Sequence, residues 1–235
     1  MPTSLDLSEL VQVNFPETQY YRQETSKSQI CLHHTVSGPY AQGVIDWWNQ
    51  DTQRIATHFI IQKDGTIFQL YSSKYWAHHL GVKSTFLKQM GFADYGTRNV
   101  LLNQSSVAME ITNWGGLVKD NNGFHPATWD TTLKRYVPVT KVTIPDQNVQ
   151  TYSKPFRDFV YFEKYSSEQI ESISRLVTYL CDKYNISKDY NEDMWDVSKK
   201  ALGGINGIYG HVSMRPDKSD PHPQPELIDM LKSLM

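Results

Sequence analysis

Cysteine is scarce: the 235 residues hold two, Cys31 and Cys181. That is too few for a disulfide framework, and both read as buried free thiols. Charge of one sign is lacking as well, with 23 basic against 25 acidic residues and a net charge of −2. No basic field is available to recruit nucleic acid, so none is expected as a partner. No apolar run approaches the roughly 20 residues that cross a bilayer, and mean hydropathy is −0.52, so no membrane partner is expected. The opening "MPTSLDLSELVQVNF" lacks a basic start followed by an apolar block and does not read as a secretory signal. The expectation is synthesis in a reducing cytoplasm, with any target outside reached by a separate export route. Internal repeats and low-complexity tracts are also missing.

What is present suits one large globular domain or two small ones, long enough to bury a core. "QICLHHTV" (29–36) is β-rich and reads as a buried strand. "PYAQGVIDWWNQ" (39–50) reads as a short helix with Val44, Trp47 and Trp48 on one side. "THFIIQKDGTIFQLYS" (57–72) is a hairpin signal, two β-rich runs around Lys63-Asp64-Gly65. "SVAMEIT" (106–112) is another short strand. From Trp114 to about Tyr165 no period is evident, and the segment reads as a long irregular loop of the kind that often carries function. In "YSSEQIESISRLVTYLCDKY" (165–184), Ser166 and Gln169 form a capping box and Tyr165 can staple onto Ile170. "PELIDMLKSLM" (225–235) reads as a closing helix with Pro225 in its first turn. Residues 1–27 read as an extension laid on the domain. Strands and helices mix without strict alternation, so the expected fold is one α/β domain, a central mixed sheet flanked by helices.

"GIYGHVSMRPDKSDPHP" (207–223) sets His211, Lys218 and Asp220 among glycine and proline, and reads as irregular backbone. Six of the eight histidines stand in suggestive places: His33, His34, His58, His78, His79 and His211. A zinc site that does chemistry usually has three protein ligands and an open position for water. A strand histidine near residue 33, His211 and Asp220 suit such a trio, although a lone histidine is more often structural. Glu110 sits in the apolar run of "SVAMEIT". Burying it without partners costs several kcal/mol, so it is either an edge-strand residue facing water or a general base beside a metal-bound water. Lys218 is either a solvated loop lysine or a stabiliser of a developing oxyanion.

These residues resemble the type 2 N-acetylmuramoyl-L-alanine amidase family, which includes phage lysozyme-amidases, wall-recycling amidases and peptidoglycan recognition proteins. The resemblance runs in order through "ICLHHTVSG", "ATHFIIQKDGTIFQLY", "YWAHHLG", "SSVAMEITNWGG" and "YGHVSMRPDKSDPHP". It covers about residues 28–113 and 166–232. It implies zinc held by His33, His211 and Asp220, with His34 at a variable position. It implies Glu110 as general base and Lys218 as oxyanion stabiliser, because Thr57 stands where phage lysozymes carry a tyrosine. His79 matches a histidine near the substrate cleft, with His78 in place of a tryptophan. Two departures stand out. The His211–Asp220 loop is one residue shorter than in recycling enzymes, and the Trp114–Tyr165 segment is longer than in minimal members.

The resemblance implies a zinc amidase domain over 28–235, with an insertion at about 114–165. It implies cleavage of the amide between N-acetylmuramic acid and L-alanine in peptidoglycan by a monomer. The expected setting is a cell-wall-lysing phage endolysin released through a holin, with a cytosolic recycling enzyme, an injected effector or a non-catalytic peptidoglycan receptor as rivals. A structural zinc domain in an unrelated binding protein is a further rival. Trp114 and the aromatic residues that follow it are expected to contact sugar or stem peptide.

Overall fold

Two sheets organise the chain in a computed structural model that describes residues 5–234. The first contains β1 (Val11–Gln12), β2 (Gln29–His34), β3 (Phe59–Ile61), β4 (Ile67–Gln69) and β5 (Ser106–Ile111). The second contains β6 (Gly116–Asp120), β7 (Gly123–Asp130), β8 (Arg135–Pro138), β9 (Val149–Phe156) and β10 (Phe159–Glu163). The chain then returns to the first sheet with β11 (Gly207–Gly210), giving the order β1-β4-β3-β5-β2-β11. The helices are α1 (Ala41–Gln50), α2 (Ser84–Gln89), α3 (Arg98–Ser105), α4 (Ser167–Tyr184), α5 (Lys199–Leu202), α6 (His211–Met214) and α7 (Pro225–Lys232).

In the first sheet β3, β5, β2 and β11 run parallel, and β4 turns back antiparallel to β3. Parallel strands covered on both faces read as unbroken apolar runs, and every residue of β2 is buried. Because neighbouring strands share direction, their carboxyl ends share one edge, where α/β sheets usually bind ligands. His33 pairs in register with Glu110, which sets the two side chains on one face. His211 follows the last residue of β11 directly. The β3–β4 turn uses Gly65 at φ +85°, where a Cβ would lie 2.9 Å from the Glu168 carbonyl oxygen. One α/β domain around a mixed sheet is therefore the fold observed, as the sequence leads one to expect.

α4 presents Ile173, Leu176, Val177 and Leu180, all fully buried, to the core. Ser166 Oγ accepts from Gln169 N–H, and the Gln169 side chain returns to the Ser166 N–H, completing the capping box. Gln169 Nε2 also donates to the Thr112 carbonyl (2.8 Å), tying the helix start to the exit of β5. Ser166→Ala removes the cap and a second bond to the Lys63 carbonyl. It is expected to lower unfolding free energy by about 1–2 kcal/mol, read from urea melts. A loss below about 0.3 kcal/mol, outside the usual range for a cap, would show that the cap contributes nothing.

Three expectations need correction. Residues 114–165 are not an irregular loop but an antiparallel five-stranded sheet, order β8-β7-β6-β10-β9. In α1 the buried stripe is Ala41, Ile45 and Trp48, while Trp47 is 60% exposed. Residues 207–214 are regular, a buried strand followed by one helical turn. The N-terminal stretch is also more than a covering. β1 pairs with β4 at the sheet edge, and Tyr20 stacks on Tyr71 with centroids 4.6 Å apart.

Candidate metal centre

β2 delivers His33 and β11 delivers His211, and the loop after α6 returns Asp220 to meet them. His33 Nδ1 lies 3.0 Å from His211 Nδ1. Asp220 Oδ2 lies 3.0 Å from His211 Nδ1 and 3.3 Å from His33 Nδ1. All three residues are buried. The loop that brings Asp220 is fastened on both sides. Val212 N–H donates to the Asp220 carbonyl at 2.8 Å, and Pro221 packs so closely on Gly210 that a Cβ there would lie 2.5 Å from the proline ring.

The other ring nitrogens decide what these three groups present to one another. Ser106 Oγ donates its single hydrogen to the Leu102 carbonyl (2.7 Å). It must then accept from His79 Nε2 (2.8 Å), which leaves His79 Nδ1 as an acceptor facing His33 Nε2 at 3.0 Å. His33 therefore carries its hydrogen on Nε2 and a bare lone pair on Nδ1. His211 Nε2 donates to the Leu80 carbonyl (2.9 Å), so in the neutral ring its Nδ1 is bare too. Two chains that end on backbone carbonyls thus aim two lone pairs and a carboxylate at one point. Three acceptors facing each other repel unless a cation lies between them. Outer partners that orient ligand histidines in this way are characteristic of metal sites.

The electrostatics agree. Burial, aided by the neighbouring His211, pushes His33 down to about 4, so it is a neutral imidazole at pH 7, as ligation needs. Where a proton rather than a cation lies between these groups, burial would raise the Asp220 carboxyl, but His211 and then His33 hold it well below the usual range, so the carboxylate is the ionised partner in either case. A second cluster shares His33: Cys31, His33 and His79 also bring ligand atoms within 4.8 Å of one another. Burial, and then the charges of Asp220 and Glu110, push the Cys31 thiol well above its ordinary value. His79, however, is already engaged on both nitrogens, by Ser106 and by His33. The His33–His211–Asp220 cluster also borders a cleft of about 450 Å³, open to solvent on one side, and Cys31 does not. A metal there has room for water and substrate.

Glu110 and Lys218 line the same cleft, opposite Val44, Trp47 and Trp48 of α1. Glu110 Oε2 is buried and has no hydrogen-bond partner. Burial and the charge of Asp220 raise its pKa well above the ordinary value, with Lys218 opposing them. Among the described residues, a larger hollow of about 680 Å³ between α4 and α7 contains no such cluster.

The other expected site residues take no direct part in the cluster. His34 also borders the cleft, but its Nδ1 faces the Tyr165 hydroxyl at 3.0 Å. His79 touches the cleft but also stands behind His33 as its hydrogen-bond partner. Trp114 lies outside the cleft lining and packs against the small core of the second sheet with Leu117, Phe124 and Ile144. His58, at the other end of β3, is a structural residue bonded to the Tyr75 carbonyl and the Ala108 N–H. Ser106, Tyr165 and His222 were not legible as site residues, because each acts through a tertiary contact. The only available signal for His222 was its place between two prolines just past Asp220.

A profile of the family described as N-acetylmuramoyl-L-alanine amidase matches residues 23–223. No curated protein sequence matches the chain. Among solved structures, PlyL superposes with a TM-score of 0.51 at 13% identity, covering 96% of this chain and 98% of its own. The catalytic domain of XlyA gives 0.51 at 14% identity, with 96% and 97% covered. The N-acetylmuramoyl-L-alanine amidase LysC from Clostridium intestinale gives 0.46 at 16% identity, with 95% of each chain covered. At these identities the likeness to PlyL and XlyA is one of fold.

Proposed function

Because the chain belongs to the N-acetylmuramoyl-L-alanine amidase family, we propose that it is a zinc hydrolase of the amide between N-acetylmuramic acid and L-alanine in peptidoglycan. The observation that carries this reading is the convergence of His33 Nδ1, His211 Nδ1 and Asp220 Oδ2 beside a buried, unpartnered oxygen of Glu110. Two imidazoles and one carboxylate on the border of an open cleft suit a catalytic zinc. When bound, the ion supplies Lewis acidity, polarising the scissile carbonyl and lowering the pKa of water.

The remaining steps belong to the chain's own side chains. Glu110 takes a proton from the attacking water as the new C–O bond forms. The electron pair of the carbonyl moves to its oxygen, and Lys218 stabilises that negative charge. As the C–N bond breaks, Glu110 passes the proton to the leaving L-alanine nitrogen. The products are a free lactyl carboxylate and a free peptide amine. Exposed Trp47 at the cleft wall offers a flat apolar face to sugar or peptide.

The biological setting in this proposal is lysis of intact cell wall. Among the described residues no helix is long and apolar enough to cross a membrane. Digesting purified sacculi and, separately, soluble muropeptides with zinc-loaded protein tests both parts. Mass spectrometry is expected to find peptides with free L-alanine amines and glycan strands with free lactyl groups from intact sacculi. A chelator should stop release and zinc should restore it. Cleavage of soluble fragments alone would favour recycling, and binding without cleavage would leave a receptor.

A further inference from the structure

The second sheet lies outside the residues that would touch the reacting amide, yet it grips the loop that carries Asp220. The grip centres on His222. Its ring is sandwiched between Phe162 (centroids 4.6 Å, 23°) and Tyr165 (4.5 Å, 19°). Its Nε2–H donates to the Glu163 carbonyl at 3.0 Å, so its Nδ1 accepts from the Tyr152 hydroxyl at 2.8 Å. Phe162 and Glu163 belong to β10 and Tyr152 to β9. Two residues further on, the Gln224 side chain accepts from Tyr165 N–H (2.7 Å) and donates to the Tyr165 carbonyl (3.2 Å).

The Tyr165 hydroxyl joins this grip to β2. It accepts from His222 N–H at 3.1 Å and faces His34 Nδ1 at 3.0 Å. His34 adjoins the donor His33, and His222 lies two residues past the donor Asp220. One buried hydroxyl therefore spans the two segments that supply Nδ1 of His33 and Oδ2 of Asp220. These donors are 3.3 Å apart. A metal site is sensitive to shifts of a few tenths of an ångström in such a spacing.

We propose that Tyr165, backed by Tyr152 and β10, is a positioning residue that holds Asp220 in register with His33, and that buttressing this donor is a task of the second sheet. This rests on the reading of His33, His211 and Asp220 as metal donors. Tyr165 touches neither metal nor substrate in this role. It acts through His222 and His34.

Tyr165→Phe keeps the ring that stacks on His222 and deletes only the hydroxyl. Cobalt and zinc affinities are measured by competition with a chromogenic chelator, alongside the visible spectrum of the cobalt form. The expected result is a metal dissociation constant raised 10- to 100-fold, as for loss of an outer-sphere partner, with an altered cobalt spectrum. Turnover should recover as zinc is raised to saturation. Tyr184→Phe is the matched control, because it deletes a hydroxyl bonded to Ser73 (2.7 Å) at the far end of α4. It should lower melting temperature without changing metal affinity. Tyr152→Phe should weaken metal binding in the same direction as Tyr165→Phe and provides a second variant if that one folds poorly. Wild-type-like affinity in both hydroxyl deletions, or a loss no greater than in Tyr184→Phe, overturns the proposal. A wild-type protein that takes up no cobalt overturns the metal reading, and this inference with it.

Discussion

Replacing His211 with alanine is expected to give a folded protein with no zinc and no measurable amide hydrolysis. In the proposed metal centre the imidazole supplies one of three donors, and its Nε2–H donates to the Leu80 carbonyl. Arg215 Nη1 also reaches that carbonyl, at 3.4 Å, so loss of the imidazole bond is expected to cost about 1 kcal/mol of stability, as for one hydrogen bond, rather than the larger penalty of an unpaired acceptor. The variant should therefore melt a few degrees lower while its circular dichroism spectrum is retained. Its metal content should fall from about one zinc per chain to background by atomic absorption. His34→Ala supplies the contrast, because that ring faces Tyr165 rather than the cluster. It should leave turnover well above the His211→Ala background at saturating zinc. If His211→Ala kept a full zinc complement while His34→Ala lost it, the donors would have been assigned to the wrong strand face.

Glu110→Gln is expected to lower turnover by roughly 10²-fold or more, as loss of a general base typically does, with zinc content unchanged. The amide has the same shape as the carboxylate but cannot take a proton from water. Glu110 pairs with His33 in the sheet, so the substitution tests chemistry without moving a strand. Its stability effect should run the other way. A carboxylate oxygen buried without a partner, near the negative charge of Asp220, is a cost to the fold. Removing the charge should hold or raise the melting temperature. Lost turnover together with held stability is the signature of a residue kept for reactivity. Near-normal steady-state hydrolysis of a soluble muropeptide by the zinc-loaded variant would leave Glu110 a structural residue.

Strands β2 to β5 and α4 were readable from the chain because their signals are local, whereas β1 and β11 of the same sheet were not. β2 and β5 each carry a short apolar run, Ile30–Leu32 and Val107–Met109, the hairpin carries its glycine, and Ser166 and Gln169 announce the start of a helix. The second sheet was not readable. β9 alternates only weakly, with burial falling away along the strand, and Pro126, Pro138 and Pro155 punctuate strands that would otherwise be legible. Proline signals a turn until the register shows it on a tolerant position. Trp47 was misplaced because two adjacent tryptophans cannot both lie on a helical stripe, and Ile45 and Trp48 hold the inward positions. At the centre, the residues whose type matches the chemistry were legible: His33, His211, Asp220, Glu110 and Lys218 appear in motifs resembling the family. Ser106, His222 and the Tyr165 hydroxyl were not, since hydrogen-bond partners distant in sequence leave no pattern in a single chain.

The pairing of β2 with β11 has a consequence for the order of events during synthesis. His33 and His211 are separated by 178 positions yet meet at 3.0 Å. β11 pairs with the edge of β2 opposite β5, and loop closures of this length are entropically slow. Asp220 lies further along still. A nascent chain therefore cannot assemble the proposed three-donor centre until β11 and the loop carrying Asp220 have both been made. Products that stop before Asp220 lack one of the proposed donors, and metal uptake at that centre would report the docking of β11 on β2.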